Sequence, residues 1–178
     1  MKSRLAGALL VVVTTLVISA ATAFPAAATT SGSETVSGRL VTSGVSGTRT
    51  TIATVAVARG VFNGVGRIVE IPSLPGDPAN VSRDDLVYPV GTMHLVNTTA
   101  GFLSPKLNPQ NCLFSVTLYE DSEIIGGTGP FAHASGTFTG TISPQGLLPQ
   151  NPDGSCAPVG TPWLHEVDMV AFCGTLSF

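Results

Sequence analysis

Alternation of apolar and polar positions, the mark of a strand buried on one face, runs through most of the chain after residue 34. It predicts strands over residues 35–42, 50–59, 64–71, 92–98, 112–120, 136–143 and 166–176, with 123–126 continuing the fifth. Val, Ile and Thr fill these stretches, while Gly, Pro and Asn separate them and helical periodicity is hard to find. Seven or eight strands so punctuated argue for an all-β barrel or sandwich. Three connections read as long: 72–91, 100–111 and 144–163. The first carries Pro72, Pro75, Pro78 and Pro89 and so excludes a regular central strand. Within it, Ser82-Arg83-Asp84-Asp85 has the form of a capped helix start, which predicts one short helical turn.

Strand parity gives a first view of the interior. Cys112, Phe114, Val116 and Leu118 are alternate apolar residues, and Glu120 shares their face. In the last strand Val170, Phe172, Leu176 and Phe178 form one set, which carried backwards includes Asp168 and Glu166. Phe114, Val116, Leu118, Val170 and Phe172 are therefore expected to line an interior, with Trp163 at its mouth and the acids at its edge. A bulge between Asp168 and Val170 would turn the last set outward. A carboxylate at the edge of an apolar lumen has its charged form disfavoured, which makes Glu120, Glu166 and Asp168 candidate general acids or bases. The competing reading is a solvated strand end. Glu70, between Val69 and Ile71, is a candidate of the same kind, with Arg67 as a surface partner. His94 alternates with apolar residues and is either a proton-transfer group or a hydrogen-bonded wall residue. His165 stands by Trp163 at the expected mouth, and His133 is expected to be exposed.

Composition narrows the class. Lys2 and Arg4, an apolar stretch from Leu5 to Ile18 and then small residues make residues 1–28 a secretory signal peptide, cleaved after Ala23 or, preferably, Ala28. The apolar stretch is shorter than the roughly 20 residues of a membrane span, so no membrane anchor is expected after cleavage and the mature protein is expected to be extracellular. Residues 29–34 read as a flexible lead-in and 35–178 as one domain. Eight basic against eleven acidic side chains leave no footprint for nucleic acid. The three cysteines suit an oxidising compartment. Cys112 and Cys156 each follow an Asn-Pro turn and are expected to bridge, whereas Cys173 lies in an apolar strand pattern as a small buried hydrophobe. The dispersed histidines have no metal-ligand spacing, so neither a metal nor a cofactor is expected. Asn80-Val81-Ser82 and Asn97-Thr98-Thr99 are formal glycosylation acceptors.

Between two β-patterned stretches lies Gly126-Gly127-Thr128-Gly129-Pro130-Phe131-Ala132-His133-Ala134-Ser135-Gly136. Permissive glycines with a single large side chain read as a tight connection whose aromatic plugs a core. The run resembles the strand-connecting motif of dirigent proteins and allene oxide cyclases: Gly-Gly-Thr/Ser-Gly, a variable residue, Phe, two variable residues, a small residue, one more residue and Gly. Gly126, Gly127, Thr128, Gly129, Phe131 and Gly136 fill its defined positions. Residues 61–135 also look like small secreted actinobacterial proteins. The resemblance implies an eight-stranded antiparallel, calycin-like barrel with an apolar lumen, and a dimer or trimer as its assembly. It further implies a small apolar ligand and, if the protein is an enzyme, cofactor-free cyclisation or stereoselective coupling. The family's pocket residues fall outside the matched run, so no catalytic position transfers. A barrel packed solid by its own side chains and serving as an interaction module is the alternative.

Overall fold

Eight β-branched stretches with period-two burial pair in chain order, and the last closes on the first. The computed structural model describes residues 30–45, 48–158 and 160–178; the expected signal peptide and its cleavage site lie outside them. The strands are β1 (Ser31–Ser43), β2 (Thr50–Gly60), β3 (Gly64–Ile71), β4 (Val81–Tyr88), β5 (Gly91–Asn108), β6 (Leu113–Gly127), β7 (Gly136–Leu147) and β8 (His165–Ser177). All neighbours are antiparallel, and the order β1 to β8 forms a closed barrel. The sandwich is thereby excluded. Closure rests on the β1–β8 ladder, unbroken from Ser31↔Ser177 to Ser43↔His165.

Several expectations change. Pairing of Ser31–Glu34 with β8 makes most of the expected lead-in part of a strand. The expected helical turn at Ser82–Asp85 is the first half of β4, laddered on both sides to β3 and β5. Two flanking ladders satisfy more backbone groups than a solvent-side turn would, so local capping preference is overridden. Residues 100–108 continue β5, with register shifts at Thr99/Gly101 and Leu103/Lys106, the second containing Pro105. Pro144 sits inside β7, opposite a gap in the β6–β7 register between Ser115↔Gln145 and Leu118↔Ile142. Proline is admitted at both places because its missing donor falls where the ladder is already interrupted.

The two ends of the barrel are built differently. One end collects the β2–β3, β4–β5 and β6–β7 turns and both chain termini of the barrel. There Phe131, fully buried, meets Phe62, Tyr88 and Phe178 at centroid distances of 5.0, 6.1 and 5.4 Å. The glycine-rich run makes this stopper. Thr128 donates its backbone N–H to Thr92 O (2.8 Å), and its hydroxyl accepts from Thr92 N–H (3.0 Å). Gly129 has φ +60°, and a Cβ on Gly127 would lie 2.0 Å from Thr92 O, so both positions require glycine. Phe131 follows in a single 3-10 turn, Gly129–Phe131.

At the other end a second apolar cluster of Cys112, Phe114, Leu148, Val116 and Trp163 covers the extensions of β6 and β7. Trp163 packs edge-on against Phe114 at 5.1 Å and over Gly146, where a Cβ would strike the indole. The Cys112–Cys156 disulfide ties this cluster together. Closing its 44-residue loop restricts the unfolded chain by about 4 kcal/mol in the loop-entropy model. Cys173 is free and exposed rather than a buried hydrophobe, because it takes the outward parity of β8 between Phe172 and Gly174.

Candidate functional site

Inward positions on seven of the eight strands meet in a cavity of about 210 Å³. Its floor is apolar: Val36 of β1, Ile68 of β3, Leu86 of β4, Leu95 of β5, Phe138 of β7, and Val170 and Phe172 of β8. Its upper wall is polar, formed by Glu70, Asp84, Asn97, Glu120, Ser122 and Asp168. On β6 the inward set runs Phe114, Val116, Leu118, Glu120, Ser122, Ile124. Glu120 therefore belongs to a polar layer between the second apolar cluster and the main core.

Few donors serve this layer. Asp84 Oδ2 accepts from Asn97 Nδ2 at 2.7 Å, and Glu120 Oε1 accepts from Thr99 Oγ1 at 3.3 Å. Glu120 and Asp168 are each 5% exposed, and Glu120 Oε2 and Asp168 Oδ1 have no hydrogen-bond partner among the described residues. Burial raises the Asp84 pKa to about 6, helped by the neighbouring charges of Glu70 and Glu120. Burial likewise raises that of Glu120. Asp168 is pushed upward first by burial and then by Glu166, against the opposing pull of Arg49.

Arg49, in the connection between β1 and β2, covers the mouth. Its guanidinium bonds Glu70, donates through Nε to Glu166 Oε2 at 2.8 Å and through Nη2 to Asp168 Oδ2 at 3.2 Å. Thr42 Oγ1 donates to the same Glu166 oxygen at 2.9 Å. Arg49→Gln is expected to raise the Asp168 pKa further, since the one opposing charge is removed. Carboxyl NMR titration measures this, and an unmoved Asp168 would show that the guanidinium does not reach it. Because the Arg49 side chain is 42% exposed, the associated loss of stability is screened to about 1 kcal/mol.

The structure brings together four of the acids singled out from sequence. Glu70, Glu120 and Asp168 border the cavity, while Glu166 stands one step further out with Arg49. Val170 and Phe172 line the cavity as expected, and no register shift interrupts β8 near Asp168. Phe114, Val116 and Trp163 instead belong to the second cluster, and Leu118 is half-buried off the cavity wall. The reason is the polar layer: it divides one apolar strand face into two cores.

His94 faces away from the lumen, since Met93 and Leu95 take the inward positions; its Nδ1 lies 2.6 Å from Asp85 Oδ1 on the neighbouring strand. His133 and His165 are exposed. Arg67 is not the partner of Glu70, whose cation is Arg49. Asn97 is 4% exposed and faces the lumen, which removes it as a glycosylation acceptor. Asp77 is a turn residue held by Arg83 through two contacts of 2.9 Å, and these hold its pKa down at about 2.

Sequence reasoning missed Asp84, Asn97, Ser122 and Arg49. Ser82, Asp84, Leu86 and Tyr88 share one parity of β4, a signal available only once that segment is read as a strand. Among the described residues no group of three His, Cys, Asp or Glu side chains is arranged to hold a metal ion. The site defines a closed antiparallel barrel with one stoppered end and an acid-rimmed internal cavity. Compared with protein-family models, curated proteins and solved structures, the chain matches none.

Proposed function

We propose that this protein is a secreted binder of a small, largely apolar molecule held in the barrel lumen, of the dirigent and allene oxide cyclase type. The carrying observation is the cavity itself, with an apolar floor and a polar wall. At about 210 Å³ it lies below the roughly 300–1,000 Å³ of pockets for drug-sized ligands, which limits the occupant to a small one. The cavity favours this reading over a barrel packed solid by its own side chains. The closed end, built by the run that carries the family resemblance, supports the same reading, as does the order of the strands.

The same lumen suits cofactor-free ring closure or directed coupling. A carboxyl whose pKa is raised by burial holds its proton to higher pH than a solvated one and can donate it to a reactive substrate. Glu120 and Asp168, buried and facing the cavity, are the groups placed for it.

Filling the lumen tests the binding reading. Methyl NMR of the wild-type protein is expected to show 1-hexanol shifting Val36, Ile68 and Leu86, all on the cavity wall. Val170→Phe, which adds bulk into the space without removing a core side chain, is expected to abolish those shifts while the protein stays folded. Equal shifts in the variant, or none in the wild type, would sink the proposal.

A further inference from the structure

The lumen holds more carboxyl groups than its own cations can pair with. Facing the cavity and its mouth are Glu70 of β3, Asp84 of β4, Glu120 of β6, and Asp168 and Glu166 of β8. Asn97 of β5 and Thr42 of β1 add only neutral groups. Of the two cations nearby, Arg83 is turned to Asp77, and Arg49 is shared among Glu70, Glu166 and Asp168. Asp84 and Glu120 are left with neutral donors alone. Moreover, the unpartnered Oε2 of Glu120 and Oδ1 of Asp168 belong to residues that are each only 5% exposed.

We infer that the lumen selects a small organic cation, a primary ammonium on an apolar body, with the ammonium at the polar wall formed by Asp84 and Glu120. This rests on the lumenal-binding reading and adds the ligand's charge to it. A primary ammonium offers three donors and no acceptor, which suits two carboxyls served by neutral donors alone, with Glu120 Oε2 still unpartnered. Charge-assisted hydrogen bonds of this kind are roughly twice as strong as neutral ones. The apolar body then lies against Leu86, Leu95 and Phe172 on the floor. A carboxylate or phosphate ligand would meet like charge on three strands.

Calorimetric titration of the protein with hexylamine, 1-hexanol and hexanoate at about pH 8, where carboxyls ionise, separates the possibilities. Hexylamine is expected to bind at least about tenfold more tightly than 1-hexanol, the scale set by hydrogen bonds to charged groups. Hexanoate is expected to bind worst. Glu120→Gln and Asp84→Asn should each bring hexylamine down towards the affinity of 1-hexanol. Both replacements keep side-chain shape and remove a buried charge, so loss of fold is not the expected cause, and an unchanged β-sheet circular dichroism spectrum controls for it. Below about pH 6 the preference should shrink as the carboxyls protonate, with Arg49 and Arg83 unchanged over that range. Hexanol binding as tightly as hexylamine, or a preference untouched by both substitutions, overturns the ammonium assignment and leaves the lumenal reading intact. If none of the three compounds binds, both fail.

Discussion

Unfolding by guanidinium is expected at lower denaturant concentration at about pH 8 than at about pH 5. Asp84 carries a pKa of about 6 in the folded protein against 3.8 for the free side chain, and burial raises Asp168 and Glu120 in the same sense. Below the unfolded value both states hold the proton and burial costs little. As pH rises past it, the unfolded chain releases protons that the folded chain retains, and stability falls until the folded groups ionise too. Each tenfold difference in proton affinity between the two states is worth about 1.4 kcal/mol, so Asp84 alone accounts for about 3 kcal/mol over its whole titration and about half of that between pH 5 and pH 8, on an order-of-magnitude basis.

Glu34, 1% exposed near the stoppered end and also raised by burial, adds to the slope. Asp77 acts oppositely, but its stabilisation is lost only as pH falls through about 2, outside the tested interval. Asp84→Asn is expected to flatten the dependence, raising stability at about pH 8 by more than at about pH 5. A midpoint that rises between these pH values would show that the acids are solvated in the folded state. With the ligand proposal, this makes Asp84 a residue whose neutralisation strengthens the fold and weakens ligand selection, the trade-off expected of a functional charge in a core.

Phe131→Ala is expected to cost about 3–5 kcal/mol, the range for removing a large buried aromatic. Phe131 is fully buried and touches three other rings, and it sits in a short turn pinned by Thr128. Its neighbours come from separate elements, so they cannot close the gap together. Phe62 is in the β2–β3 turn, Tyr88 ends β4 and Phe178 follows β8. Chemical denaturation measures the loss; a change below about 1 kcal/mol would show that the stopper is dispensable. The variant also opens the barrel beside Glu34, whose carboxylate accepts from Phe62 N–H at 2.8 Å. Water reaching Glu34 should lower its pKa towards the ordinary value, so part of the pH dependence should disappear together with the stability.

The strand series was legible wherever one face is apolar. Residues 64–71 match β3 at both ends, and the parity of β8 places Asp168, Val170 and Phe172 on the lumen side. The segment 81–88 was not legible, because its inward positions are Ser82, Asp84, Leu86 and Tyr88 and its outward ones include Arg83 and Asp85. With polar residues on both faces, no alternation separates inside from outside, and the Ser-Arg-Asp-Asp spelling favours a helix cap on local grounds. The ladders to β3 and β5 decide otherwise. The division of β6 between two cores was hidden for a related reason. Phe114, Val116 and Leu118 follow one parity with Ile124, and nothing in that pattern says where along the strand the barrel ends.

Local chemistry along the chain was enough to establish strands, turns, the inward parity of most strands and the glycine-built stopper, since each depends on neighbours only a few residues apart. Pairing Cys112 with Cys156 was also legible, because both follow Asn-Pro turns. Closure into a hollow barrel came from tertiary structure, as did the convergence of Glu70, Asp84, Glu120 and Asp168 from four strands and the placement of Arg49 over them. These are contacts between residues far apart in the chain, and their energies depend on burial and on charges that meet only when β8 closes on β1.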